Sequence, residues 1–281
     1  MNNLDFQYQE LIRRILATGT KRSDRTGTGT ISVFGAQLRH NMRDGFPLLT
    51  TKKMAIKAMM TELKWFLKGR TDIQYLQDNG CKIWDGDYNK SGRTDGSLGP
   101  IYGKQWRDWT EYYVEKFNGG NPIIVERTVD QIQNLIDGLK TDPYGRRHIV
   151  SAWHVGQLNE MVLPPCHYGF QCYIADGKLS LMWNQRSVDT FLGLPFNFAS
   201  YGTLLELLAI EIGAEPGELI CNLGDVHLYS NHIEQAEELI SREPYPLPTI
   251  EFNDIDILAG EWNYEIKDYL SHPAIKAPLS N

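Results

Sequence analysis

Residues 163–189 read LPPCHYGFQCYIADGKLSLMWNQRSVD, and this stretch decides the fold. Two runs rich in aromatic and branched side chains, Tyr168–Ile174 and Leu179–Trp183, flank the turn Ala175-Asp176-Gly177-Lys178. An Asp-Gly turn between two such runs is a strong local signal for a β-hairpin. The sequence therefore predicts two antiparallel strands at the centre of the chain.

Cys166 is the first candidate for chemistry beside this hairpin. A cysteine nucleophile reacts as the thiolate, and a nearby arginine favours that form. The hairpin places Cys166 just before its first strand and Arg186 just after its second, so we expect the two to lie close together. The alternative is a buried structural cysteine. His167 is not obviously its base, because adjacent residues of an extended segment point to opposite faces, and a papain-like hydrolase has little support.

The rest of the chain mixes helical and strand patterns, with no internal repeat and no clear linker. This mixture predicts a single α/β (α+β) domain over residues 1–281. A glycine- and aspartate-rich stretch at 85–99 indicates a loop, and 110–127 resembles a surface insertion. Helices are expected at 4–18, 54–68, 129–139 and 201–212, a strand at 31–38, and a further helix to Ile240 capped by Ser230 or Asn231.

Composition limits the function classes. The 281 residues are 42% hydrophobic and 22% charged, as in ordinary soluble globular proteins. The net charge of −7 argues against nonspecific nucleic-acid binding. None of the four cysteines forms a CxxC pair or zinc-type spacing, so we expect no metal and a reducing, cytoplasmic location. The polar start of the chain lacks a signal-peptide pattern, and no apolar run is long enough to span a bilayer.

Several arginines are candidates for binding an anion. Arg25 lies in the glycine-threonine loop Asp24–Thr30, Arg146 and Arg147 follow a turn, and Arg186 adjoins Ser187. Arginine suits bidentate phosphate binding, and loop N–H groups and hydroxyls add donors. Each arginine taken alone is more often a solvated surface charge, so the pattern does not establish that they converge.

Four other polar residues lie in patterns that suit substrate contacts. Asn197 follows an apolar Pro-Phe pair and offers both a donor and an acceptor to a polar ligand, although it is as well explained as a turn or cap residue. His227 and Tyr229 alternate on one strand face and suit sugar hydroxyls, or form a half-buried polar pair. Glu62 borders an apolar helix face, where a raised pKa would suit proton transfer, although such residues are usually solvated.

The order of these motifs resembles the thymidylate synthase family. The resemblance covers nearly the whole chain and is therefore highly specific. The segments that carry it are Asp24–Thr30, Phe46–Lys52, Glu62–Gly69, Ile83–Asp85, Leu98–Arg107, Arg146–Trp153, Leu163–His167, Gln185–Tyr201, Gly224–His232, Arg242–Pro248 and His272–Pro278.

The resemblance implies a role for each matching position. Cys166 would add to C6 of dUMP, and C5 would then attack the iminium form of 5,10-methylenetetrahydrofolate, with tetrahydrofolate as the reductant. The implied catalytic residues are Cys166, Glu62, Tyr102, Arg186, Asn197 and Asp189. The implied substrate-binding residues are Arg25, Arg146, Arg147, Ser187, His167, His227 and Tyr229, and the implied folate-binding residues are Lys52, Ile83, Trp84, Asp189, Leu192 and Phe196.

The resemblance also implies a mixed sheet flanked by helices and a homodimer that forms through the sheet. Arg146 and Arg147 would then reach the phosphate from the partner. The family's folate serves as a cosubstrate, which implies two small-molecule partners, dUMP and the reduced folate.

Some positions depart from the family pattern. Asn281 stands where the family usually ends in a small apolar residue. Asp87 stands where many relatives carry a second tryptophan or an asparagine, and Trp183-Asn184 replaces a usual Leu-Tyr pair. Closure of the site that admits water would favour a dUMP hydroxymethylase as the alternative function. In such an enzyme, water rather than hydride reacts with the exocyclic methylene intermediate. A catalytically silent RNA-binding protein is a third hypothesis, which the acidic charge and the intact Cys166 disfavour.

Overall fold

The predicted hairpin lies inside a larger sheet. The computed structural model describes residues 2–24, 26–115 and 122–279, and within them six strands form the central sheet in the order β1-β2-β8-β7-β6-β5. The strands are β1 Thr20–Arg22, β2 Thr30–Asn41, β3 Trp109–Glu115, β4 Ile123–Val129, β5 Ile149–Ser151, β6 His167–Ala175, β7 Lys178–Asp189, β8 Glu215–Tyr229, β9 Thr249–Asp256 and β10 Glu261–Lys267. The helices are α1 Asn3–Thr18, α2 Ile56–Leu67, α3 Ile73–Asp78, α4 Asp85–Ser91, α5 Tyr102–Arg107, α6 Gln131–Thr141, α7 Gly193–Ile212 and α8 Ile233–Ile240.

The turn chemistry explains the hairpin between β6 and β7. Asp176 and Gly177 both have positive φ angles, 50° and 72°, as a type I′ turn requires. The register places Phe170 opposite Trp183 on the buried face of the sheet. The hairpin prediction is confirmed.

The sheet is mixed because α7 connects two parallel strands. β7 runs parallel to β8, whereas the other neighbouring strands pair antiparallel. α7 is apolar nearly all round and packs on both β7 and β8, while α1 packs on β2. The predictions of a buried helix over 201–212 and of a mixed sheet flanked by helices are confirmed, although the helix begins earlier, at Gly193.

The prediction of a loop over residues 85–99 is wrong for its first half, which forms α4. Asp85 and Asp87 lie in the first turn, where carboxylates interact favourably with the helix dipole. Gly92 ends the helix in the left-handed conformation, at a φ of 70°. Tyr88 ties the helix to the following loop by accepting a hydrogen bond from Gly96 N at 2.8 Å. Tertiary contacts of this kind override the low helix propensity of the stretch.

Two strand ends also differ from the predictions. Arg186 lies within β7 rather than after it, because pairing with β8 extends the strand to Asp189. Neither Ser230 nor Asn231 caps a helix, since β8 continues to Tyr229 and residues 230–232 form a 3₁₀ turn before α8 begins.

The predicted surface insertion at 110–127 is largely an exposed antiparallel strand pair, β3 with β4. Its central residues 116–121 lie outside the described residues. The following helix is α6, whose N-terminus is capped by Asp130. Among the described helices, none is both long and apolar enough to cross a membrane.

Candidate active site

One cavity of about 760 Å³ opens beside the ends of β6, β7 and β8 and the start of α7. It brings together residues that are far apart in the sequence. The predicted site residues that line it are Lys52, Glu62, Ile83, Trp84, Tyr102, Cys166, His167, Arg186, Ser187, Asp189, Leu192, Phe196, Asn197, His227 and Tyr229.

Cys166 is the cysteine that opens to this cavity. Its backbone N–H donates to Tyr102 Oη at 2.9 Å, and its carbonyl accepts from Arg186 N at 2.8 Å. The other three cysteines are buried, and burial raises their pKa values to about 11 for Cys81 and about 12 for Cys172 and Cys221. Those three thiols are therefore poor nucleophiles at neutral pH, which leaves Cys166 as the candidate.

The guanidinium of Arg186 is held against the segment that precedes Cys166. Its Nε donates to the Pro165 carbonyl at 3.0 Å and its Nη2 to the Pro164 carbonyl at 2.8 Å. The predicted proximity of Arg186 to Cys166 is confirmed. Trp153, which the sequence reasoning missed as a contact, lies under the guanidinium with its ring centre 5.3 Å from Cζ.

His167 is buried between aromatic rings and is not a base for Cys166. Burial lowers its pKa to about 3, so the imidazole stays neutral at physiological pH. Its Nδ1 forms a 2.8 Å hydrogen bond with Tyr201 Oη, and its ring stacks on Tyr102 at 4.4 Å. A Cys/His hydrolase is therefore disfavoured, and His167 instead supports Tyr102, which in turn binds the backbone of Cys166.

Glu62 has the raised pKa that its position predicted. Burial raises the pKa to about 7, and a hydrogen bond from Trp84 Nε1 to Glu62 Oε1 at 2.7 Å limits the rise. A carboxyl group that titrates near neutral pH can both donate and accept a proton during a reaction cycle. The raised pKa is confirmed, while the role of Glu62 stays a prediction.

The amide of Asn197 is oriented by Gln185, a residue that the sequence reasoning missed. Gln185 is buried on β7, and its Nε2 donates to Asn197 Oδ1 at 3.1 Å. The Nδ2 group of Asn197 therefore lies on the other side of its amide from Gln185. The signal in the sequence was the position of Gln185 directly before Arg186.

His227 and Tyr229 lie on one face of β8, as their spacing predicted. Their ring centres are 5.2 Å apart, and both line the cavity. Asp225 adds an acidic neighbour that was not predicted, with its Oδ1 at 3.4 Å from His227 Nδ1. Successive odd-numbered residues of one strand thus supply a carboxylate, an imidazole and a phenol.

Lys52 and Asp189 hold the turn between β7 and α7. The Lys52 ammonium donates to the Phe191 carbonyl and lies 4.0 Å from the centre of the Phe191 ring. Burial lowers the pKa of Lys52 to about 8, while Asp189 acts in the opposite direction. Asp189 Oδ1 accepts from Phe191 N at 3.0 Å and from Leu192 N at 3.1 Å. The Lys52 amine thus points into the protein in this conformation.

A comparison with protein families agrees with this geometry: the model for thymidylate synthase matches residues 6–281 of the 281-residue chain. The chain belongs to the thymidylate synthase family. Family membership supports an enzyme that methylates or hydroxymethylates dUMP and uses methylenetetrahydrofolate as cosubstrate. Among the described residues, no group of three or more His, Cys, Asp or Glu side chains is placed to hold a metal ion.

The arginines implied by the family fall into three groups. Arg186 lines the cavity, whereas Arg25 lies outside the described residues. Arg146 and Arg147 are exposed on the turn that follows α6 and do not line the cavity of their own chain. Their predicted donation to a partner's site stays a prediction.

A strap formed by residues 270–279 covers one side of the cavity, and its Ile275, Ala277 and Leu279 line the wall. Two side chains hold it: Arg242 Nη1 donates to the Pro273 carbonyl and His232 Nε2 to the Pro278 carbonyl, both at 2.7 Å. The sequence reasoning assigned no wall residues to this segment. Asn281, whose polarity suggested looser closure, lies outside the described residues.

Proposed function

We propose that the protein methylates dUMP at C5 to give dTMP, with 5,10-methylenetetrahydrofolate as the one-carbon donor and dihydrofolate as the second product. One observation carries this proposal: the accessible Cys166 shares a cavity with Arg186, Glu62 and the oriented amide of Asn197. These side chains supply a nucleophile, an anion-binding cation, a proton carrier and a base-reading group.

Cys166 is the proposed nucleophile for C6 of the uracil ring. The bond from Cys166 N to Tyr102 and the bond from Arg186 N to its carbonyl fix the backbone on both sides of the thiol. Such fixation favours attack because the reacting atoms are held in position before the reaction. Covalent addition divides a difficult alkylation into easier steps.

The proposed phosphate site combines Arg186 and Ser187 with Arg25, and with Arg146 and Arg147 of a second copy. Arg186 has already satisfied part of its donor capacity with two proline carbonyls, which restricts its orientation. His227 and Tyr229 are proposed to bind the ribose hydroxyls. His167 is proposed to act indirectly, through its stacking on Tyr102.

Glu62 is the proposed proton carrier, together with Tyr102. A pKa of about 7 lets Glu62 exchange protons with the pyrimidine at neutral pH. The hydroxyl of Tyr102 accepts from Cys166 N and therefore keeps its own proton available as a donor.

The folate is proposed to lie over Ile83, Trp84, Leu192 and Phe196, which give the cavity an apolar wall. Asp189 is the proposed pterin contact. Lys52 would meet the glutamate tail only after its ammonium leaves the Phe191 carbonyl, which makes that contact conditional on a side-chain rearrangement.

A homodimer through the sheet is proposed because Arg146 and Arg147 lie outside the cavity of their own chain and would reach a phosphate only in the site of a second copy. Tyr173 and Ile149 are 64% and 56% exposed, and the pairing of Ile149 with Gln171, two residues before Tyr173, places both on one face of the sheet. Apolar side chains on one uncovered sheet face favour association with another copy of the chain.

A dUMP hydroxymethylase is the second candidate, and Asp87 is the observation that favours it. Asp87 lines the same cavity as Ile83 and Trp84. A carboxylate favours hydration of the part of the cavity that it lines. Water that reaches the one-carbon unit would give a hydroxymethyl product and leave tetrahydrofolate.

The test is incubation of the purified protein with dUMP and 5,10-methylenetetrahydrofolate, followed by mass spectrometry of both products. We expect dTMP and dihydrofolate in equal amounts. Hydroxymethyl-dUMP with tetrahydrofolate would establish the second candidate, and Asp87→Asn would then be expected to lower its yield. Absence of both products, with dUMP bound, would refute both functions.

A further inference from the structure

Trp183 lies behind the cavity and contacts it only through other side chains. It is fully buried on β7, two residues before Gln185 on the same face of the strand. Its indole Nε1 donates to Gln185 Oε1 at 3.1 Å. An indole N–H can only donate, so this bond requires the oxygen of the Gln185 amide to face Trp183.

The orientation of Gln185 then determines that of Asn197. With Oε1 facing Trp183, the Nε2 group of Gln185 faces the cavity side and donates to the Ser187 carbonyl and to Asn197 Oδ1, both at 3.1 Å. Asn197 consequently turns its oxygen toward Gln185. Its Nδ2 group remains as the donor available to a ligand.

This orientation distinguishes two pyrimidines. Uracil presents the acceptor O4 at ring position 4, whereas cytosine presents an amino donor there. A donor at Asn197 pairs with O4 and opposes the amino group, and an unpaired buried polar group is costly. We propose that Trp183 is a positioning residue that sets the preference for uracil over cytosine through Gln185 and Asn197. This inference rests on the proposed binding of dUMP at Asn197.

The two contributions of Trp183 can be separated. Its ring stacks on Tyr201 with centres 4.9 Å apart and planes at 6°, and it meets Phe198 edge-on at 5.0 Å. A phenylalanine at position 183 keeps aromatic packing but removes the N–H donor. In that variant, residue 183 no longer donates a hydrogen bond to Gln185 Oε1. The Gln185 Nε2 group still donates to the Ser187 carbonyl, which opposes rotation of the Gln185 amide.

The experiment measures the affinity of Trp183→Phe for dUMP and for dCMP by calorimetry, without folate. We expect the dUMP/dCMP affinity ratio to fall about threefold to tenfold, the value of one neutral hydrogen bond. The matched control is Trp262→Phe, because Trp262 is also buried and its Nε1 has no hydrogen-bond partner among the described residues. The control ratio should equal that of the wild type.

An unchanged ratio in Trp183→Phe, or an equal fall in Trp262→Phe, would overturn the inference. If Trp183→Phe does not fold, Gln185→Leu interrupts the same chain of hydrogen bonds one step later and must lower the ratio at least as much. An unchanged ratio in Gln185→Leu would also overturn it. A wild-type protein without preference for dUMP would instead contradict the proposed function.

Discussion

Replacement of Glu62 by glutamine tests the raised pKa and the proton-transfer role in one protein. Burial raises the pKa of Glu62 from 4.5 to about 7, so between these values the folded protein binds more protons than the unfolded chain. The free energy of unfolding of the wild type must therefore fall as pH rises through this window. The amide introduced by Glu62→Gln does not titrate, so the variant lacks this contribution.

The expected size follows from the shift. A rise in pKa from 4.5 to about 7 corresponds to about 3 kcal/mol, most of which is lost between about pH 5 and pH 8. The stability of Glu62→Gln relative to the wild type should thus increase by about 2 to 3 kcal/mol over that range. Turnover should fall by about 100-fold to 10,000-fold, as for loss of a general acid-base group.

Urea unfolding at a series of pH values and one fixed protein concentration measures the first effect, and steady-state turnover the second. Glu206→Gln is the matched control. Burial also raises the pKa of Glu206 to about 7, but Glu206 lies on α7 and does not line the cavity. It should show the same trend in stability with normal turnover. A pH-independent stability difference for Glu62→Gln would refute the raised pKa, and normal turnover would refute the proton-transfer role.

Three further predictions concern the proposed chemistry. Cys166→Ser should abolish turnover and leave dUMP affinity within about threefold of the wild type, because a hydroxyl is a far weaker nucleophile than a thiolate. Product analysis measures turnover and calorimetry measures dUMP affinity, and an active variant would exclude the covalent step. Arg146→Glu should inactivate the enzyme alone but regain up to about a quarter of wild-type activity when mixed dimers form with Cys166→Ser, since one site then has both intact residues; no regain would show that the site is not shared. Asn197→Asp should lower the preference for dUMP over dCMP by at least about tenfold, since a carboxylate accepts from the cytosine amino group. Competition kinetics with both nucleotides would measure this preference, and an unchanged value would show that Asn197 does not read the base.

The sequence predicted the parts of the fold that depend on neighbouring residues. The positive φ angles at Asp176 and Gly177 follow from local turn chemistry, and the hairpin then brings Cys166 beside Arg186. The alternation that placed His227 and Tyr229 on one face is likewise a local property of strands. By contrast, α4 was missed because the packing of Tyr88 against the core and its hydrogen bond with Gly96 outweigh the weak helix propensity of its sequence.

The chemistry of the site depended on tertiary structure. The raised pKa of Glu62 requires burial by the surrounding fold, and the hydrogen bond that limits the rise comes from Trp84, 22 residues away. Tyr102 reaches the Cys166 backbone across 64 residues. The inward direction of the Lys52 amine likewise depends on its distant partner, Phe191. The sequence by itself determined the β6–β7 hairpin, the strand β2, the main helices and the identity of the candidate groups, because turn preference and periodicity act over a few residues. Only the tertiary structure decided their proton affinities and orientations, because desolvation and side-chain hydrogen bonds depend on neighbours that folding brings from elsewhere in the chain.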